Sequence, residues 1–122
     1  MNTRAAVLLL AALLVTTGCK ERAAAPAAPS TPEAMYAEAQ ALLKPSAERE
    51  GPDTAGAVRW LTKAAHAGHL QAQIDLGGLY YKGGKGVEAD PRKALGWFVK
   101  AAEQGDVQVL VFIGEIYYQG YG

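Results

Sequence analysis

The stretch AQIDLGGLYYKGGKGVEADPRKALGWFVKAAEQG, Ala72 to Gly105, decides the fold. It holds two helix-like apolar patterns joined by a glycine-rich turn. Its markers recur at one fixed distance. Trp97 lies 37 positions after Trp60, and the same offset relates Lys63-Ala64-Ala65 to Lys100-Ala101-Ala102 and Gly68 to Gly105. It also relates Gln71 to Gln108, Gly77 to Gly114, Tyr80-Tyr81 to Tyr117-Tyr118 and Asp53 to Asp90. A period of this size, held through two helical patterns, marks stacked helix–turn–helix units, none of which buries its apolar face alone.

Outward from that stretch the same grammar gives about five helices. Asp53 or Thr54 caps a helix reaching Ala67, with Ala57, Trp60, Leu61, Ala64 and Ala65 as its buried stripe. Gly68 supplies the left-handed residue that ends it. A helix from His69 to Lys82 turns Ala72, Leu76, Leu79 and Tyr80 inward. Asp90-Pro91 opens the next with a capping carboxylate and a proline at the first helical position. Its stripe, Ala94, Trp97, Phe98, Ala101 and Ala102, repeats the earlier one, and the two tryptophans are expected to act as wedges between layers. A last helix takes Asp106 to Gln119. The earliest, Glu33 to Lys44, aligns Met35 with Ala72, Ala39 with Leu76 and Leu43 with Tyr80 at the 37-residue offset. On that alignment its glycine and tyrosine markers are gone, which makes it a drifted half-unit at the end of the stack. The expected class is all-α: a short α-α solenoid over residues 33–122, divided as 33–68, 69–105 and 106–122.

Residues 1–18 read as a secretory signal: Arg4 near the amino terminus, then an unbroken apolar run from Ala5 to Val15. That run is about half of the ~20 residues a membrane-crossing helix needs. Thr16-Thr17-Gly18-Cys19 resembles the bacterial lipobox, although Thr16 stands where leucine is usual. The resemblance implies lipidation of Cys19, the only cysteine of the chain, and lasting attachment through several acyl chains. Residues 19–32, with alternating Ala and Pro, form a tether. Lys20, where an aspartate would retain many lipoproteins in the inner membrane, implies the outer membrane, facing the periplasm. The chain carries 12 basic and 12 acidic residues, and loss of Arg4 with the signal leaves a formal charge of −1. No cationic cluster stands out, which argues against nucleic acid as a partner.

The repeat markers resemble those of the Sel1-like repeat family, relatives of the tetratricopeptide repeats. They are Ala72, Leu76-Gly77, Tyr80, Gly83, Gly86-Val87, Asp90, Lys93-Ala94, Trp97, Lys100-Ala101-Ala102 and Gly105. Gly77 and Gly114 fall inside helices, where glycine costs up to ~1 kcal/mol relative to alanine. That cost makes sense where a neighbouring helix crosses too closely for a side chain. The resemblance implies a non-enzymatic protein-interaction scaffold. Some Sel1-like proteins are cysteine-rich and linked to β-lactam binding or hydrolysis. Their cysteine pairs are missing here, so a cell-wall-active protein that binds or cleaves peptidoglycan or a β-lactam is the second reading. A truncated copy of a longer repeat protein is the third.

No catalytic constellation, cofactor motif or metal set emerges. Gly83-Gly84-Lys85-Gly86 follows a helix instead of a strand and lacks Ser or Thr after the lysine, which makes it a turn before a phosphate loop. His66 and His69 are interrupted by Gly68, so their spacing is a weak metal signal. The surface carries the expectation instead. In such solenoids the first helix of each pair lines the concave side, which puts Gln71, Asp75, Gly78 and Lys82 on one solvent stripe. Its equivalent on the last helix is Gln108, Phe112, Glu115 and Gln119. These are the candidate partner-binding residues, for an envelope or periplasmic protein. Reversing the charges of Asp75 and Glu115 is expected to abolish capture without disturbing helicity. The last helix also carries Val107, Leu110, Val111, Phe112, Ile113 and Ile116, more apolar surface than one neighbour buries. It is expected to self-associate, to meet a partner or to mark a truncation.

Overall fold

The computed structural model describes residues 28–84 and 86–122. The signal segment, Cys19 and most of the tether lie outside those residues. Among the described residues five helices follow one another: α1 (Pro32–Leu43), α2 (Thr54–His66), α3 (Leu70–Lys82), α4 (Pro91–Glu103) and α5 (Val109–Tyr118). They form the expected solenoid, each helix packing against its neighbour in sequence. None is long and apolar enough to cross a membrane.

Every helix start is capped by a side chain. Thr31 Oγ1 accepts from Ala34 N–H at 3.2 Å, Asp53 Oδ1 from Gly56 at 2.9 Å and Asp90 Oδ1 from Lys93 at 3.2 Å. At α3 the cap is His69, whose Nδ1 accepts from Ala72 N–H at 3.1 Å, and its ring stacks on Tyr36 with centroids 4.6 Å apart. Asp106, one repeat later, accepts from the backbone of Gln108 and Val109 and starts α5 the same way. The two histidines thus have structural uses, since His66 meets the edge of Trp97 at 5.0 Å. Among the described residues no group of side chains is arranged to hold a metal ion.

The two long helices of the second kind, α2 and α4, end on Gly68 and Gly105, with φ of +90° and +99°. In that conformation the next backbone N–H folds back: His69 donates to the Ala64 carbonyl at 3.0 Å and Asp106 to Ala101 at 3.3 Å. At the far end of α3, Gly83 and Gly86 also have positive φ, and Gly84 and Val87 exchange two backbone bonds across them. The glycine-rich segment is therefore a tight turn.

The first helix departs from the 37-residue register. Thr31 and Ala34 make the cap bond that His69 and Ala72 make in the next unit. Asp53 N–H reaches the Leu42 carbonyl at 2.7 Å, as Asp90 N–H reaches Tyr80 at 2.7 Å. Both pairings put α1 38 residues before α3, with the extra residue in the loop ahead of Asp53. Ala39, not Gln40, then stands where Gly77 stands, and it is fully buried. Glu38 takes the place of Leu76 and is exposed among the described residues. The glycine and tyrosine markers are gone in this register too, with Ala39 and Leu42 in their places, but the helix is not a half-unit. It is the first member of a complete α1–α2 unit.

The core is small and divided. One cluster gathers Ala39, Ala57, Leu61, Ala64, Ala65, Ala72 and Leu76; the other gathers Ala94, Phe98, Ala101, Val109 and Ile116. The large members, Phe98, Leu61, Leu76, Ile116 and Val109, are fully buried, each contributing about 1.5–3 kcal/mol of transfer free energy. The tryptophans are not buried wedges. Trp60 and Trp97 are half-buried at the surface, with Lys63 and Lys100 ammonium groups 4.5 and 4.7 Å above their rings. The crossing of helices is set by smaller residues. A Cβ on Gly77 would lie 2.7 Å from Cε1 of Phe98, whereas one on Gly114 would meet nothing within 4 Å.

That contrast makes a paired prediction. Gly77→Ala gains helix propensity but must push a fully buried ring, so it loses about 1 kcal/mol or more net. Gly114→Ala has only the propensity gain and stabilises by about 0.5–1 kcal/mol. Urea unfolding of both variants decides it, and equal stabilisation would refute the crossing assignment.

Candidate interaction surface

The predicted stripe is split by the structure into two groups. Asp75, Gly78, Lys82 and Phe112 line one groove of about 430 Å³. Gln71, Gln108, Glu115 and Gln119 are exposed outside it. The groove runs between α1, α3 and α5. Gln40 and Leu43 come from α1, and Ile74, Leu79 and Tyr81 from α3 form its apolar floor with Phe98 of α4. Gly78 leaves it open, since a Cβ there would meet nothing within 4 Å.

Asp75 is half-buried and already occupied. Its Oδ2 accepts from the Tyr36 hydroxyl and from Gln40 Nε2, both at 2.8 Å, and its Oδ1 accepts from Gln71 Nε2 at 2.9 Å. One carboxylate therefore ties α1 to α3. Burial and the neighbouring carboxylate push the Tyr36 hydroxyl pKa up to about 12. Reversing the charge at Asp75 strands three donors and loosens α1, so that substitution does not report on the surface alone. Gln71, from one turn earlier, serves the same carboxylate.

On the other wall, Phe112 is 37% exposed. Its ring stacks on Phe98 at 5.2 Å and meets the edge of Tyr81 at 6.2 Å. Gln119 Nε2 donates to the Tyr81 hydroxyl at 3.3 Å. Burial first, and then the Glu115 carboxylate, raise the Tyr81 pKa. Glu115 and Gln119 thus brace the groove wall from behind. Gln108 lies at the cap of α5 and does not reach the groove. Lys82 stands exposed at the rim.

The sequence reading missed Tyr36, Gln40, Gln73 and Gln104. Gln73 is buried; its Nε2 donates to the Ala65 carbonyl at 3.0 Å, and its Oε1 accepts from Gln104 Nε2 at 2.8 Å. Gln104 also donates to the Gly68 carbonyl at 3.0 Å. A buried glutamine on an otherwise apolar helical face was the available signal. Among the described residues no buried side-chain nitrogen or oxygen lacks a partner.

Helix pairs stacked in one direction, with a groove along their first helices, define an α-α solenoid of the kind that presents a surface to other molecules. The chain belongs to the Sel1 repeat family, whose pattern matches residues 32–69 and 70–106. The two matches coincide with α1–α2 and α3–α4, and the first is one residue longer, as the displaced loop requires. The protective antigen c5321, present in uropathogenic Escherichia coli strains and displaying an SLR fold, is 29% identical with a TM-score of 0.64. That similarity covers 75% of this chain and 19% of the other. A Sel1 repeat protein from Oxalobacter formigenes is 33% identical with a TM-score of 0.59, over 70% of this chain and 24% of that one. The chain thus spans a quarter or less of the length of these structures. No curated protein matches it. Sel1 repeats are typically protein–protein interaction scaffolds and generally not enzymes.

The Asp75 node yields a pH prediction. An ordinary tyrosine titrates near 10, and Tyr36 is raised to about 12. Its contribution to stability is complete below pH ~10 and is lost as pH rises toward ~12, because only the unfolded chain releases the proton in that window. Tyr36→Phe is expected to lose about 1 kcal/mol at neutral pH. The difference between wild type and variant, followed by urea unfolding, should shrink between pH 10 and 12. A constant difference would refute it.

Proposed function

We propose that this chain is a lipid-anchored envelope protein whose Sel1 repeats hold a protein partner in the groove between α1, α3 and α5. The observation that carries the reading is the groove itself. It has an apolar floor from Ile74, Leu79 and Phe98, a side-chain-free gap at Gly78, and a cationic rim at Lys82. An extended apolar segment with an acidic flank suits that arrangement, because the floor takes side chains while the rim takes the charge. The anchor reading rests on Gly18-Cys19 after an apolar run, and the Ala/Pro tether gives the repeats reach from the membrane toward an envelope or periplasmic partner. Lys20 supports the outer membrane as the address.

Crosslinking in envelope extracts, read by mass spectrometry, tests the groove with variants that spare the Asp75 node. Gly78→Leu fills open space, and Lys82→Glu reverses the rim charge. Each is expected to reduce crosslinks to the groove partner by about tenfold with far-UV circular dichroism unchanged. Undiminished crosslinking by both variants would place the partner elsewhere. The anchor is tested separately: Cys19→Ser should release the chain from the membrane fraction.

A further inference from the structure

We infer that the outer face of the second helices, α2 and α4, lies against an anionic phospholipid surface. This face is separate from the groove, which the first helices form. The choice of a membrane as occupant rests on the anchor reading given above.

Charge is sorted between the two kinds of helix. Within their spans α2 and α4 carry Arg59, Lys63, Arg92, Lys93 and Lys100 against one acid, Glu103. The first helices, α1, α3 and α5, carry Glu33, Glu38, Asp75 and Glu115 against one base, Lys82. The sequence shows no cationic run because the bases of α2 and α4 are spread from Arg59 to Lys100. The fold gathers them. His66 of α2 meets the Trp97 ring of α4 at 5.0 Å, and Gln104 bonds the Gly68 carbonyl at 3.0 Å, so the two helices stand side by side. Their apolar stripes face the core, and Arg59, Lys63, Arg92 and Lys100 are exposed away from it. The Asp53 and Asp90 carboxylates are held at the helix starts by the N–H groups they cap.

Aromatic residues flank this cationic stripe. Trp60 and Trp97, the two tryptophans of the chain, are half-buried with the Lys63 and Lys100 ammonium groups over their rings. Beside Trp60, an open hollow of about 510 Å³ is lined by Val58, Arg59, Thr62 and Lys63. Its wall is largely carbon and its rim carries two cations. A phospholipid matches that combination, since its phosphate is joined through glycerol to acyl carbon. Tryptophan and lysine are also the side chains that settle at headgroup level. Single-stranded nucleic acid is a poorer match, because it stacks bases on open aromatic faces. Here a lysine already lies over each ring.

This side is not the place where more of the same solenoid would pack. Arg59 and Lys63 stay exposed although α3, α4 and α5 all follow α2. A further unit would meet α4 as α4 meets α2, through the flank that holds Trp97 and His66, and would leave the outer stripe open in the same way. With that stripe on the bilayer, the groove of the first helices stays on the other layer, free for its partner.

The two tryptophans are built-in reporters. The full chain is mixed with phosphatidylcholine vesicles, with or without about a third of phosphatidylglycerol, each carrying a headgroup-level spin-labelled lipid as quencher. Quenching of Trp60 and Trp97 is expected in the anionic vesicles and not in the neutral ones, and high salt should abolish it. Each cation near an anionic bilayer is worth about fivefold in partitioning. Arg59→Glu with Arg92→Glu is therefore expected to weaken the quenched state by more than about tenfold with helicity retained. Gly78→Leu in the groove should leave it unchanged. The proposal is overturned if quenching is equal in the two vesicle types or absent from both, or if reversing both arginines changes nothing. It is equally overturned if heparin shifts the tryptophan emission and anionic vesicles do not, since a soluble polyanion would then hold the face. A chain that neutral vesicles fail to retain, yet anionic vesicles recruit and quench, would sink the anchor reading while upholding the face.

Discussion

The structure depends on how closely the first helix of each pair approaches the second. At the crossing a small residue meets a large one, and the two sizes are matched: Ala39 lies in the cluster of Leu61, and Gly77 lies under Phe98. Where the large residue grows from Leu to Phe, the small one shrinks from Ala to Gly, which keeps the helix axes close without a void. Helix propensity is given up at Gly77 for that contact. The position of Phe98 then propagates, because Phe112 of the next helix stacks on it and Tyr81 meets Phe112 edge-on. The groove wall is thus a consequence of one glycine on α3.

Polar contacts add order to a core made largely of alanine, which by itself specifies little. Gln73 and Gln104 link the ends of α2, α3 and α4, and Asp75 links α1 to α3 through Tyr36 and Gln40. Each of these groups is satisfied, so burying it costs little. Removing one partner would leave another without its bond inside the protein, a larger penalty than the bond's net worth. These contacts also hold α1 against α3. The Tyr36 ring rests on His69, the cap of α3, and its hydroxyl reaches Asp75 on the same helix.

Helix number, order, caps and the repeat were legible because they rest on local spacing: Asp90-Pro91, Gly105 and the recurring Lys-Ala-Ala are read within a few residues. The one-residue slip of α1 was not. A loop residue changes register without changing composition, and only the paired bonds of Thr31 with Ala34 and Asp53 with Leu42 reveal it. The tryptophans misled because size was read as burial, whereas lysines three residues on cover their outer faces. At the candidate surface, Lys82 and Phe112 fell where the helical stripe put them. Asp75 lay on that stripe too, but its partners stand 35 and 39 residues earlier. No periodicity within α3 can show that a surface carboxylate is spent on another helix.

The groove is tied to the rest of the fold through α5. One side holds Phe112 and Gln119 against Tyr81, closing the groove; the other carries Leu110, Gly114 and Tyr117. Between them, Val109 and Ile116 fix the helix on α4. In α3 the corresponding residues are held from both sides, by α2 and by α4. In α5 the described residues hold them from one side, that of α4. A displacement of Phe112 by a ligand in the groove would therefore be felt at Phe98 and at the Gly77 crossing, since the three are packed in series.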